Sequence, residues 1–267
     1  MNYNYQAEKD SLMIFGLGLL ALLVGFGMGV GSHSLTGNLF TDTWRIVEAE
    51  ALVQPNDYQI TLASLQALGD FHAALGVAEP IDTPQDSLFI RQIGDVGVIT
   101  INTFVPGTAA AFDTAMAAMP DVKRLVIDVR ENRGGVIDEA VRIADRFIDF
   151  GILAIEQHKS EEIIHRAEKG ALDLPVIVLV NHDTYSAAEV LALALRHYGH
   201  IVVGQPTYGK ASLQRTFAVA DDYALQLTTG YWYGPRGETV AGQGVIPNVV
   251  TAPGDELQKA LELLEGN

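Results

Sequence analysis

The stretch Val176-Ile177-Val178-Leu179-Val180-Asn181-His182-Asp183-Thr184-Tyr185-Ser186-Ala187-Ala188-Glu189 decides the fold. Its first five residues are only Val, Ile and Leu, the composition of a strand buried on both faces, and residues 190–196 continue with Ala and Leu at helical spacing. Ser186 therefore stands where a strand hands over to a helix. That position exposes a hydroxyl at a sheet's carboxyl edge and aims the helix's free N–H groups and positive dipole end at whatever binds there. A serine here also serves as a plain helix N-cap.

Working outward, the same alternation recurs. Upstream, residues 96–102 predict a strand, 108–119 a helix, 125–129 a strand, 138–147 a helix and 152–155 a strand; downstream, 201–203 is again an apolar strand. Strands separated by helices of about ten residues indicate βαβ units and a mostly parallel sheet, so the chain is expected to be α/β. The texture then changes to a β-hairpin, 213–219 with 224–233 around Asp221-Asp222, followed by an amphipathic closing helix over 255–264.

A second stretch bears on the serine. Thr207-Tyr208-Gly209-Lys210-Ala211-Ser212-Leu213-Gln214 follows the strand 201–203 and carries the only charged residue between 201 and 214. A lysine desolvated without a carboxylate neighbour loses its proton more readily and becomes a base, and a serine hydroxyl needs such a base to act as a nucleophile. Gln214, four residues on, can lie on the same side of a turn and orient the amine without adding charge.

Together Thr184-Tyr185-Ser186-Ala187-Ala188-Glu189, Thr207 to Gln214, and Leu125-Val126-Ile127-Asp128-Val129-Arg130-Glu131-Asn132-Arg133-Gly134-Gly135 resemble, in order and spacing, three blocks of the C-terminal processing (tail-specific) peptidases. The resemblance implies a crotonase/ClpP-like α/β core and a serine endopeptidase acting on protein or peptide substrates without a cofactor. Ser186 would be the nucleophile, Lys210 its base and Gln214 the residue orienting the lysine. The oxyanion would be held by the N–H of Ala187 and that of Gly134 or Gly135. The glycine pair reads equally as a strand-to-helix turn that needs positive φ. Arg133 departs from the Pro, Ser or Gly that the family carries there. The family's PDZ domain has no room, since strand-like sequence begins at Leu88. Two rivals share the fold: a binding protein that has lost turnover, and a crotonase-type acyl-CoA enzyme, which leaves Lys210 and Gln214 unexplained. His182 would have to fold back over the turn to serve as the base.

The remaining composition sets limits. The 267 residues carry a formal charge of −16, with no Lys/Arg stripe to neutralise phosphates, so no nucleic acid is expected. Without cysteine there is no disulfide or thiolate chemistry. His158, His165, His197 and His200 show no grouping with carboxylates, so no metal is expected either. Residues 11–41 hold no Asp, Glu, Lys or Arg, and residues 12–30 are wholly apolar, long enough to cross a bilayer. A single transmembrane anchor is expected in preference to a cleaved signal, with the body extracytoplasmic because the few basic groups lie upstream. The expected organisation is a tail at 1–10, an anchor at 11–33, an N-terminal helical segment at 38–78, a linker at 79–86 and a catalytic domain at 87–267.

Overall fold

The fold is given by a computed structural model, which describes residues 74–77, 87–220 and 223–266. The expected anchor, the linker and all but the last residues of the expected helical segment lie outside the described residues. Among the described residues no helix is long and apolar enough to cross a membrane. The chain divides into two compact units, residues 79–215 with 228–267 and residues 1–78 with 216–227.

In the larger unit the apolar runs become a six-stranded sheet. Its members are β2 (Leu88–Ile93), β3 (Val96–Ile101), β4 (Arg124–Asp128), β7 (Val176–Val180), β8 (Ile201–Gly204) and β11 (Val249–Val250), in the order β11-β8-β7-β4-β3-β2. Every pairing is parallel except that of β2 with β3. Alternate residues of the central strands feed two cores, one on each face. Ile99, Leu125, Ile127, Val178 and Val202 pack under helices α1 (Thr108–Ala117), α2 (Ile137–Asp145) and α3 (Ala187–His197). On the other face Val98, Val126, Ile177, Leu179 and Val203 pack against Ala260 and Leu264 of α4 (Glu256–Glu265). This is why β7 reads as uninterrupted Val, Ile and Leu: both its faces are buried. Helix α1 has no acid in its own first turn; Glu139 of α2 supplies one, accepting the N–H groups of Gly107 and Ala109 at 3.0 and 2.7 Å.

The same unit carries antiparallel structure: β5 (Gly151–His158) pairs with β6 (Glu162–Ala167), and residues 230–233 of β10 (Tyr223–Tyr233) pair with β5. Strand β6 was not legible in the sequence, because Glu-Ile-Ile-His-Arg-Ala is mostly exposed and shows no core-facing alternation.

In the smaller unit, β1 (Ala74–Val77) pairs antiparallel with residues 223–226 of β10, while β9 (Ser212–Ala220) forms the other arm of the hairpin that ends in β10. This corrects the sequence reading, which carried the helical segment through these four residues. A strand edge that offers backbone partners overrides a helical spacing that ends in Gly76.

Candidate active site

Three loops leave the carboxyl ends of the neighbouring strands β4, β7 and β8, so parallel pairing alone gathers the glycine pair, Ser186 and Lys210 at one edge of the sheet. Ser186 is buried and its backbone sits at φ 52, ψ −117. A serine that only caps a helix lies in the extended region. Holding one here costs about 1–3 kcal/mol, which the surroundings must supply.

Glu189 is a large part of those surroundings. Fully buried in the first turn of α3, it accepts the Ser186 N–H at 2.8 Å. The same carboxylate accepts the Thr207 hydroxyl at 2.5 Å and the N–H groups of Gly209 and Lys210 at 2.7 and 2.9 Å. Ser186 N and Lys210 N therefore share one oxygen, Oε2, which fixes the serine turn against the lysine loop. Burial pushes the Glu189 carboxyl above the ordinary carboxylate range, against the pull of these four donors. Burial also lowers the Lys210 amine below the ordinary lysine range, and the negative charge of Glu189 partly restores it. Among the described residues no carboxylate forms an ion pair with Lys210. Trp232, fully buried, donates its indole N–H to the Lys210 carbonyl at 2.9 Å and its backbone N–H to that of Ala211.

On the other flank, Asn132 is fully buried and donates to the Ile101 carbonyl at 2.8 Å, while its own backbone carbonyl accepts the Tyr185 N–H. Its Oδ1 takes the Gly134 N–H at 2.8 Å. Gly134 lies so close to the serine that an added Cβ would come 2.8 Å from Ser186 Cβ and 3.0 Å from the Tyr185 carbonyl oxygen. Gly135 is exposed at φ +130, where an added Cβ would fall 2.1 Å from the Phe104 carbonyl oxygen. Among the described residues no acceptor takes the N–H of Gly135 or that of Ala187. Thr184 locks the turn from beneath, donating to the Val129 carbonyl at 2.8 Å and accepting the Tyr208 N–H at its own carbonyl at 3.1 Å. The rings of Tyr185 and Tyr208 stack at 4.1 Å, Tyr208 half exposed.

Gln214 donates its amide to Ser212 Oγ at 2.9 Å and to Thr228 Oγ1 at 3.4 Å, and no hydrogen bond joins it to Lys210. His182 is exposed. Asp128 and Arg130 form an ion pair at 2.6 Å, and Arg130 extends it to Glu256, also at 2.6 Å. The expectation that His158 and His165 stand apart from carboxylates is corrected: Glu156 lies between them, at 3.0 and 2.7 Å. Their partners come from the hairpin β5–β6, whose second strand the sequence does not announce. Sequence reasoning also missed the grip of Glu189 on the lysine loop and the role of Asn132, both made by contacts distant in sequence.

The profile of peptidase family S41 matches residues 95–251. Among curated proteins, a probable CtpA-like serine protease of Staphylococcus saprophyticus is 34% identical over 186 residues, 65% of this chain and 38% of that protein. One of the same description from Staphylococcus aureus is 37% identical over 171 residues, 61% of this chain and 34% of that protein. The chain thus spans little more than a third of the length of these relatives. Of solved structures, the photosystem II D1 C-terminal processing protease aligns over 68% of this chain and 48% of its own, with TM-score 0.54 and 26% identity. A lipoprotein from Streptococcus agalactiae aligns over 86% and 90%, with TM-score 0.62 and 17% identity, a likeness of fold alone.

Proposed function

Since the chain belongs to peptidase family S41, we propose that it hydrolyses peptide bonds of protein substrates through an acyl-enzyme on Ser186, with Lys210 as the base. The observation that carries this is the backbone of Ser186 at φ 52, a strained turn that an ordinary N-cap does not require. The resemblance to C-terminal processing peptidases, with its crotonase/ClpP-like core, supports the same reading. The neutral Lys210 amine takes the Ser186 proton as Oγ attacks the carbonyl, returns it to the leaving amine, and then activates water for deacylation. The oxyanion is held by the Ala187 N–H and the Gly135 N–H, because Gly134 has already given its own to Asn132. Gln214, whose amide nitrogen is held by Ser212, is assigned the role of orienting the lysine in the Michaelis complex. The apolar residues 12–30 anchor the chain in a membrane, with the catalytic unit on the extracytoplasmic side.

The test is cleavage of an unstructured protein by the purified full chain. Ser186→Ala and Lys210→Ala are expected to lower it by about a thousandfold or more. A serine-directed phosphonate is expected to label Ser186, and to fail in Lys210→Ala. Full cleavage by either variant refutes the dyad, and a chain that neither cleaves nor labels is a binding protein on this fold.

A further inference from the structure

Four side chains with ligating atoms meet where the hairpin β5–β6 faces the first turn of α2. Glu156 and His158 lie two residues apart on one face of β5. His165 of β6 joins that face diagonally, since Glu156 pairs with Ile163 and Ala154 with His165. Asp138 approaches from α2. His165 Nε2 is 2.7 Å from Glu156 Oε1, its Nδ1 is 3.7 Å from Asp138 Oδ1, and His158 Nε2 is 3.0 Å from Glu156 Oε2.

We propose that Asp138, Glu156 and His165 bind a divalent transition-metal ion, with His158 steadying the far oxygen of Glu156. One ligand atom from each of the three lies within 4.8 Å of the others. Ligand bonds of about 2.0–2.2 Å in a tetrahedral site set donor atoms about 3.3–3.5 Å apart, so small shifts close these side chains on an ion. Two carboxylates facing one imidazole form an anionic set that a cation neutralises. The imidazole selects zinc or cobalt over magnesium, calcium or manganese. His165 and Glu156 are 12% and 14% exposed, held by their neighbours, while Asp138 at 62% leaves a solvent-facing coordination position. The ion takes the lone pair of a ring nitrogen, so a protonated His165 releases its proton to the buffer on binding. A filled site would tie the hairpin to a helix that begins two residues after Gly135.

The proposal does not rest on the peptidase reading, because its readout is binding. Full-length, tag-free protein stripped with a chelator is titrated with zinc by calorimetry and with cobalt by visible absorption. One tight zinc per chain and a tetrahedral cobalt band are expected. His165→Ala and Glu156→Gln should each weaken zinc binding by about tenfold or more, with loss of the band; His197→Ala should change neither. Zinc should also raise the thermal midpoint of the parent chain and not that of His165→Ala, which separates lost ligation from lost folding. No zinc binding by the parent chain, or undiminished binding by His165→Ala, overturns the proposal.

Discussion

At the scale of the residue, Glu189 and Lys210 set a pH dependence whose sign follows from their surroundings. On the proposed mechanism Lys210 works as the neutral amine, and burial lowers its pKa, so kcat/KM is expected to rise with pH through a limb below the ordinary lysine range. The Glu189 charge favours the ammonium and therefore holds that limb up. Glu189→Gln should move the limb to lower pH. It should also reduce kcat by about tenfold or more, because an amide cannot accept all four donors that the carboxylate does. Profiles of the two proteins over pH check both effects; an unmoved limb would mean that Glu189 acts through geometry alone. Gly135→Ala places a methyl 2.1 Å from the Phe104 carbonyl oxygen at φ +130, and should cost at least about 2 kcal/mol in urea unfolding along with most of the activity. Ser186 and Lys210 could be proposed from the sequence because each sits in a local motif just after a strand, and β7 and β8 do place both at one sheet edge. The sequence left Gly134 and Gly135 open as oxyanion donors, because what favours Gly135 in the proposed mechanism is a contact of Asn132 Oδ1 with the Gly134 N–H.

At the scale of the element, buried runs announced the parallel strands and their helices. The strands that escaped, β1, β6 and the two-residue β11, make up for weak or short patterns by backbone pairing to a neighbour. Helix α4 was legible as an amphipathic stripe, but its anchor was not. Buried Glu256 accepts Arg130 at 2.6 Å and Gln205 at 2.8 Å, joining the helix start to the ends of β4 and β8. Asp128 and Glu256 raise the Arg130 pKa further, so the guanidinium stays charged at any working pH. Removing one partner from such a pair leaves the other desolvated and alone. Glu256→Ala is expected to destabilise the chain by about 2–4 kcal/mol in urea unfolding. A loss under about 0.5 kcal/mol would show that the helix is held by Ala260 and Leu264 alone.

At the scale of the whole molecule, a formal charge of −16 acts on substrate encounter. A cationic peptide should be cleaved with higher kcat/KM than an anionic one of the same scissile sequence. The ratio is expected to fall by several-fold between about 20 mM and 500 mM salt, as screening shortens the field. Stopped-time assays with paired peptides measure it, and a ratio that ignores salt would place specificity in short-range contacts. The α/β class and the parallel order of loops were readable from composition and alternation. The division into two units was not, because residues 216–227 group with residues up to 78 across a long sequence separation.

The shared carboxylate has a consequence for latency. Since a single buried oxygen of Glu189 anchors both Ser186 and Lys210, retracting the lysine loop would strip the carboxylate of three of its four donors, those from Thr207, Gly209 and Lys210. Any off state built by loop withdrawal would strand a buried anion, which is dear enough to rule out casual toggling. On the proposed function, restraint is better exercised over who reaches the threshold than over whether the machinery behind it is assembled.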